Sequence, residues 1–280
     1  MDYVDFILNL AGLLLWIKWR SLPFDPFNRR TPATLVGTLR RAAPSHFRRW
    51  HLLVGIGTLL ALRALFYWQI GPAVHWTGRL DLGAITLSFR SDRPGRIFLF
   101  SVFSFGRTLG IFYLWLLLLS LLAGRTADPG PVSRLVRMQL GGMDGWPRGV
   151  KAVLPLISGI LIWWPLSWLF AWLEIIPKPV SAAHRIEESA VIGLGGYLAW
   201  KFIAAALLVL RLLNTYIYFG RHPFWNYVNA AAQTLLAPLR KIPLRAGRVD
   251  FAPVAGIAVI FFAGELAARA LTWLYARLPF

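Results

Sequence analysis

Arg240-Lys241-Ile242-Pro243-Leu244-Arg245-Ala246-Gly247-Arg248-Val249-Asp250-Phe251-Ala252-Pro253 is followed by a mostly apolar run that continues to Tyr275. A basic turn broken by Gly and Pro, then about twenty apolar residues, is the pattern of a chain entering a bilayer. The run from Pro253 to Tyr275 carries only Glu265 and Arg269 as charges. Each residue of a helix rises about 1.5 Å, so the run is long enough to cross a hydrocarbon layer of about 30 Å.

Five other apolar blocks lie upstream, at about Tyr3–Ile17, Leu52–Ile70, Ser101–Leu122, Ala152–Ile175 and Val191–Phe219. Lipid offers no partner to an open backbone, so each block is expected to be a helix that satisfies its own hydrogen bonds. The expected fold is therefore an all-α membrane protein with about six transmembrane helices. Composition agrees: 57% of residues are hydrophobic and 15% charged, against about 25% charged in a typical soluble domain. The first block is short, preceded by Asp2 and Asp5 and followed by Lys18-Trp19-Arg20. That charge order is opposite to a secretory leader, so the block is expected to be an uncleaved anchor.

The net charge is +18. A nucleic-acid-binding protein gathers such charge on one watery face; here it is dispersed between apolar blocks, so no nucleic-acid partner is expected. Two uses fit better: attraction to anionic headgroups, and retention of loops on the cytoplasmic side. Eight Lys or Arg lie between Lys18 and Arg49, including Arg29-Arg30 and Arg40-Arg41. The third connection has Arg125, Arg134, Arg137, Arg148 and Lys151, and the fifth has Arg221, Arg240, Lys241, Arg245 and Arg248. The fourth has only Lys178 and Arg185 beside Glu187 and Glu188, and the second mixes four Arg with Asp81 and Asp92. Odd connections inside gives a multi-pass membrane protein with both termini outside.

Within the second connection, Thr86–Arg90 alternates, Ser91-Asp92-Arg93-Pro94-Gly95 punctuates, and Arg96–Phe100 is again apolar. This spacing predicts either a short outer hairpin over 86–100 or an irregular lead into a long third helix.

The turn in the opening stretch occurs twice. Arg134, Gly141, Asp144 and Pro147 have the spacing R-x6-G-x2-D-x2-P, and Arg240, Gly247, Asp250 and Pro253 repeat it. The proline suits a helix start, where its missing N–H is no loss. The aspartate suits the exposed N–H groups there, and the glycine suits a reversal with positive φ. An amphipathic stretch, Val228–Leu239, precedes the second turn and is expected to lie along the headgroup plane. Each unit then reads as membrane helix, interfacial helix, basic turn, membrane helix. Both units have the same orientation, which makes them parallel helix-pair repeats. The expected divisions are 1–95, a two-helix extension with a basic loop, followed by helix pairs at 96–180 and 190–280.

The stretch Leu235-Leu236-Ala237-Pro238-Leu239-Arg240-Lys241-Ile242-Pro243, followed by Gly247-Arg248-Val249-Asp250-Phe251-Ala252-Pro253, resembles the signature of the YggT (YlmG) family. That signature is roughly P-L-R-R-x-I-P, then G-G-x-D-hydrophobic-S-P. Leu210-Arg211-Leu212-Leu213 resembles the family's entry to the loop. The resemblance covers about 197–262. It departs at Gly247-Arg248, at Ala252 and at Asn214-Thr215-Tyr216. A degenerate second unit at about 104–156 keeps Asp128-Pro129, Arg134, Gly141-Gly142 and Asp144. The resemblance implies a small bacterial or plastid inner-membrane protein without enzymatic activity. Family members are associated with osmotic and ion tolerance, with division and nucleoid organisation, and with assembly of membrane complexes.

Charges at bilayer depth mark sites by default. Here they are Arg63, Arg107, Lys201, Arg211 and Glu265. Glu265 falls at a depth between Lys201 and Arg211 and is expected to pair with one of them, or with Arg269 one turn on. Such a group serves either an ion path or a structural ion pair. Catalytic, cofactor and metal sites are not expected: there is no cysteine, the five histidines lack ligand spacing and read as solvated, and no phosphate loop is seen. Gly193-Leu194-Gly195-Gly196 lies inside a span and reads as close helix packing. Many of the 14 Trp lie near span ends, as an aromatic belt would. The function expected is a non-enzymatic membrane scaffold or assembly factor. Its basic turns would face anionic lipid, another membrane protein or a second copy of the chain. An ion channel or transporter is the alternative, and an enzyme acting on lipid would need a cluster of reactive groups that the sequence lacks.

Overall fold

The computed structural model describes residues 2–21, 49–90, 93–123, 130–177, 181–217, 222–241, 245–246 and 249–278. The basic pairs Arg29-Arg30 and Arg40-Arg41, with Asp128-Pro129, Lys178, Gly247 and Arg248, lie outside them.

Contacts divide the chain into two compact units, residues 1–78 with 90–109, and residues 79–89 with 110–280. The first unit is built from α1 (Asp2–Ser21), α2 (Arg49–Ile70) and the first half of α3 (Pro94–Ala123). α1 packs on α2, and Gly12 lies against the Phe105 ring of α3. Trp76, Tyr67 and Phe100 stack beside them, with ring centroids 4.4 to 6.2 Å apart.

Among the described residues, five helical segments are long and apolar enough to cross a membrane: Arg49–Ile70, Pro94–Leu122, Arg148–Trp172, Ala182–Tyr216 and Ala252–Arg277. The first expected span is helical but is not among them. Charged residues at both its ends leave only twelve uncharged positions, Phe6 to Ile17, about 18 Å of helix.

A two-stranded sheet joins β1 (Thr77–Asp81) to β2 (Thr86–Arg90). The expected hairpin over 86–100 is thus half right. Thr86–Arg90 is a strand, but its partner lies upstream, and Arg96–Phe100 belongs to the first turns of α3. Pro94 explains this, since it opens a helix at no cost in hydrogen bonding. Leu80, Leu87 and Phe89 alternate inward, and Phe89 meets Phe170 edge-on at 6.2 Å.

The second unit continues with α4 (Pro131–Leu140), α5 (Arg148–Trp172), α6 (Ala182–Gly195), α7 (Trp200–Tyr216), α8 (Pro223–Leu235) and α9 (Ala252–Arg277). α6 and α7 are one long run joined by a 3-10 segment, Gly196–Ala199. The expected fifth span therefore begins nine residues earlier than Val191, at Ala182, whose helix is capped by Ser181 accepting from the His184 amide at 3.1 Å. The run changes partner at the 3-10 segment: α6 packs on α5, and α7 on α9.

Glycine permits the first of these contacts. A Cβ placed on Gly159 would overlap Gly193 Cα, and one on Gly193 would lie 2.8 Å from the Leu156 carbonyl oxygen. The glycine cluster is close packing, as its composition implied. Gly195 meets the Leu82 carbonyl the same way, and the hairpin turns there through Gly83 at φ +88°. The 3-10 segment weakens the helical ladder, and two indoles answer it. Trp115 Nε1 donates to the Ala199 carbonyl at 2.8 Å, and Trp200 Nε1 donates to the Leu114 carbonyl at 2.9 Å.

Candidate functional site

The two turns are built on one plan. α3 leads to α4, a 3-10 segment Gly141–Gly145, and α5. α7 leads to α8, a 3-10 segment Ala237–Lys241, and α9. Each short helix opens on a proline, Pro131 or Pro223. The short helices pack on each other, with Gly130 against Pro223. Their apolar faces join one core: Tyr227, Val228 and Ala231 with Leu207, against Leu119, Leu122 and Val132.

In the first turn, Asp144 is the centre. Its carboxylate accepts from Ser120 Oγ at 2.5 Å, lies 3.5 Å from Arg137 Nε and 3.8 Å from Lys151 Nζ. Lys151 is buried on α5 and donates to the Asp144 carbonyl at 2.5 Å and to Ser120 Oγ at 2.7 Å. A buried ammonium needs such a cage, because an unmatched charge there is expensive. Tyr227 of α8 donates to the Leu119 carbonyl at 2.9 Å. Burial first, and the Asp144 charge second, raise its phenol above the ordinary range. Gly141 has φ +57°, as the reversal requires. Pro147 stands at the cap position of α5. Arg134 and Arg137 point outward from α4, and Arg148 is exposed at the start of α5.

The second turn places its matching residues on other elements than the first. Pro253 is buried in the first turn of α9, as expected, but the cap position is Phe251 and no side chain caps it. Asp250 sits one residue earlier, in strand β4 (Val249–Asp250), paired with Arg245 of β3 (Arg245–Ala246). No side chain caps α5 at Pro147 either, so in neither turn does an aspartate cap the following helix as expected; β3 and β4 close the second turn by backbone pairing. Arg240 lies in the 3-10 segment.

Residues 189–271 match the family model CCB3/YggT. Over these residues the chain is similar to the CCB3/YggT family. The match takes in the second half of α6, all of α7 and α8, the second turn and α9 to Leu271. Comparison with curated proteins and with solved structures found no match. The matched region is thus a membrane helix, a short proline-led helix, a basic turn and a second membrane helix, with Gly256 of α9 set between Leu236 and Leu208.

The charges expected inside the bilayer have separate fates. Arg63 is fully buried and forms an ion pair with Asp5. It also donates to Asn9 Oδ1 at 2.7 Å and lies over the Tyr67 and Phe100 rings, 5.8 and 5.5 Å from their centroids. Asp5 further accepts from Tyr67 Oη at 3.2 Å and Ser104 Oγ at 3.0 Å. This network binds α1, α2 and α3. Sequence reasoning found Arg63 but not Asp5, Asn9, Tyr67 or Ser104. Asp5 and Asn9 share one helix face, as do Arg63 and Tyr67, and that shared spacing was the available signal.

Arg107 is exposed. Lys201 is half-buried, its chain against Gly264 and its ammonium 5.1 Å from the Phe202 ring. Arg211 is half-buried, and its Nη1 has no hydrogen-bond partner among the described residues. Glu265 pairs with Arg269 at 3.1 Å and, among the described residues, with neither Lys201 nor Arg211. The reason is rotation: Gly264 meets Lys201, so Glu265, the next residue, is turned away from α7.

A further cluster lies on α6. His184, Arg185, Glu188 and Ser189 are buried. Tyr275 of α9 donates to Glu188 Oε1 at 3.1 Å, and the Arg185 guanidinium lies 3.9 Å from the Trp168 ring centroid. His184 was expected to be a solvated loop histidine, and Arg185, Glu187 and Glu188 to lie in a loop. The Ser181 cap starts the helix early and carries them onto it. No group of three or more His, Cys, Asp or Glu suited to a metal occurs among the described residues.

Proposed function

We propose that this chain is a non-enzymatic scaffold or assembly factor of a bacterial inner membrane. In this reading both termini face outward, residues 104–156 form a degenerate YggT-type unit, and both turns lie on the cytoplasmic side. There they meet anionic headgroups or a membrane-protein partner.

The single observation that carries it is the pairing of α4 with α8. The two short helices meet through Val132 and the Gly130–Pro223 contact, bury the rest of their apolar faces on α3 and α7, and leave Arg134, Arg137 and Arg148 exposed. Met143 and Trp146 are exposed between them, as residues at a headgroup boundary would be. Asp144 is engaged by Ser120, Arg137 and Lys151, and with Arg134 and Arg148 also exposed the outward charge is basic. Ion conduction is less well supported. Glu265, the group on which it rested, pairs with its own helix neighbour on an exposed face.

Purification in mild detergent tests the reading. The intact chain should retain anionic phospholipid or a protein partner, and the Arg134→Ser, Arg137→Ser, Arg148→Ser triple variant should lose it. A chain that carries neither, or a triple variant that carries as much as the parent, would sink the proposal. Ion flux through reconstituted liposomes that falls on Glu265→Gln would favour the channel instead.

A further inference from the structure

α9 leaves most of its surface uncovered. It packs on α7 and α6 through Gly256, Gly264 and Tyr275. In its most apolar stretch 6% of residues are buried, against 22–44% in the other four spans. Bare apolar surface alone suits lipid. Glu265 and Arg269 do not, because their side chains are 59% and 77% exposed. Glu265 is the fourteenth of 26 helical residues, midway along the span. Charged groups facing hydrocarbon at that depth are costly and ordinarily face other protein.

The pair does not satisfy itself. A guanidinium has five N–H donors and a carboxylate about four acceptor sites. The intrahelical contact joins Arg269 Nε to Glu265 Oε1, which leaves the terminal amino groups and the second carboxylate oxygen. Around them lie Phe262, Leu266 and Trp273, all more than half exposed. The charge pattern fits one partner in particular. Two copies related by a twofold axis along the membrane normal place their α9 helices parallel and at equal depth. Arg269 is then displaced from the other copy's Glu265 by one turn, about 6 Å along the axis, within reach of an arginine. The contact is reciprocal, as a twofold interface must be.

We propose that the exposed face of α9 around Glu265 and Arg269 is the interface between two copies of this chain. Two crossed Glu265–Arg269 pairs close it inside the membrane. It is independent of what the basic turns bind.

The chain has no cysteine, so single cysteines report contacts cleanly. Leu266→Cys on this face should yield a disulfide-linked species of twice the mass in native membranes. Val153→Cys, at an exposed position of α5, should not. Adding Glu265→Arg should cut the yield by about tenfold, the effect of a modest loss of pairing energy, and Glu265→Arg with Arg269→Glu should restore it. Four outcomes overturn the proposal: no link from Leu266→Cys, equal links from both positions, a link to a protein of another mass, or a yield indifferent to Glu265→Arg. Should Glu265→Arg fail to accumulate, the two single-cysteine variants decide by themselves.

Discussion

Arg63 shows most clearly what a polar residue does in this chain. Its side chain is fully enclosed, and Asp5, Asn9, Tyr67 and the Phe100 ring supply its partners. Removing one member of a buried pair leaves the other charge unmatched, at a cost of about 3–5 kcal/mol, whereas replacing both with apolar groups is far milder. Asp5→Leu and Arg63→Met should each unfold earlier than the parent in a detergent denaturation series. The double variant should be the more stable of the three. Two single effects that simply add would contradict the pairing.

At Tyr227 the same logic becomes a pH dependence. Its folded phenol titrates above the ordinary value near 10, so the unfolded chain loses its proton first. Its contribution to stability is therefore full below about pH 10 and falls as pH rises beyond it. Tyr227→Phe should flatten the decline measured between about pH 10 and 12. An unchanged slope would remove the tyrosine from the account.

At the scale of elements, helix approach is set by glycine. Gly159 and Gly193 leave no room for a Cβ where α5 crosses α6, while Gly106 on α3 has open space around it. Gly159→Ala should cost about 1–3 kcal/mol, the usual range for overpacking. Gly106→Ala should be neutral or slightly stabilising through helix propensity. Equal effects in a thermal unfolding series would mean the crossing is looser than described.

The elements were unequally legible in the sequence. Five spans could be read because length and apolarity are properties of one segment. The hairpin was misassigned because β1, Thr77-Gly78-Arg79-Leu80-Asp81, holds a glycine and two charges and looks nothing like a strand. Its inward positions, Gly78 and Leu80, make sense only against what they pack on. Arg96–Phe100 looked like a strand, but Pro94 begins a helix there. The Asp5–Arg63 network was hidden for a related reason: its members come from three blocks, and only the packing of α1, α2 and α3 unites them. The position of the turns was legible because the R-x6-G-x2-D-x2-P spacing recurs in the sequence. The closure of the second by β3 and β4 was not, since backbone pairing leaves little trace in side-chain identity.

At the scale of the molecule, the proposed function requires the two turns to lie on one side. Arg134, Arg137 and Arg148 of the first turn are exposed, so their effect should be electrostatic. Retention of anionic lipid should weaken with added salt, and each of Arg134, Arg137 and Arg148 is worth about 1 kcal/mol near a charged surface. Lipid retention indifferent to salt would point to a different contact.

Sidedness itself is the most direct test. In the cysteine-free chain, single cysteines at Gly142 in the first turn, at Gln233 on α8 and at Pro177 beyond α5 all occupy exposed positions. A membrane-impermeant thiol reagent applied to sealed vesicles of known orientation should label Gly142→Cys and Gln233→Cys from the cytoplasmic side only, and Pro177→Cys from the opposite side only. Labelling of Gly142→Cys and Gln233→Cys from opposite sides would contradict the parallel repeat and the function built on it.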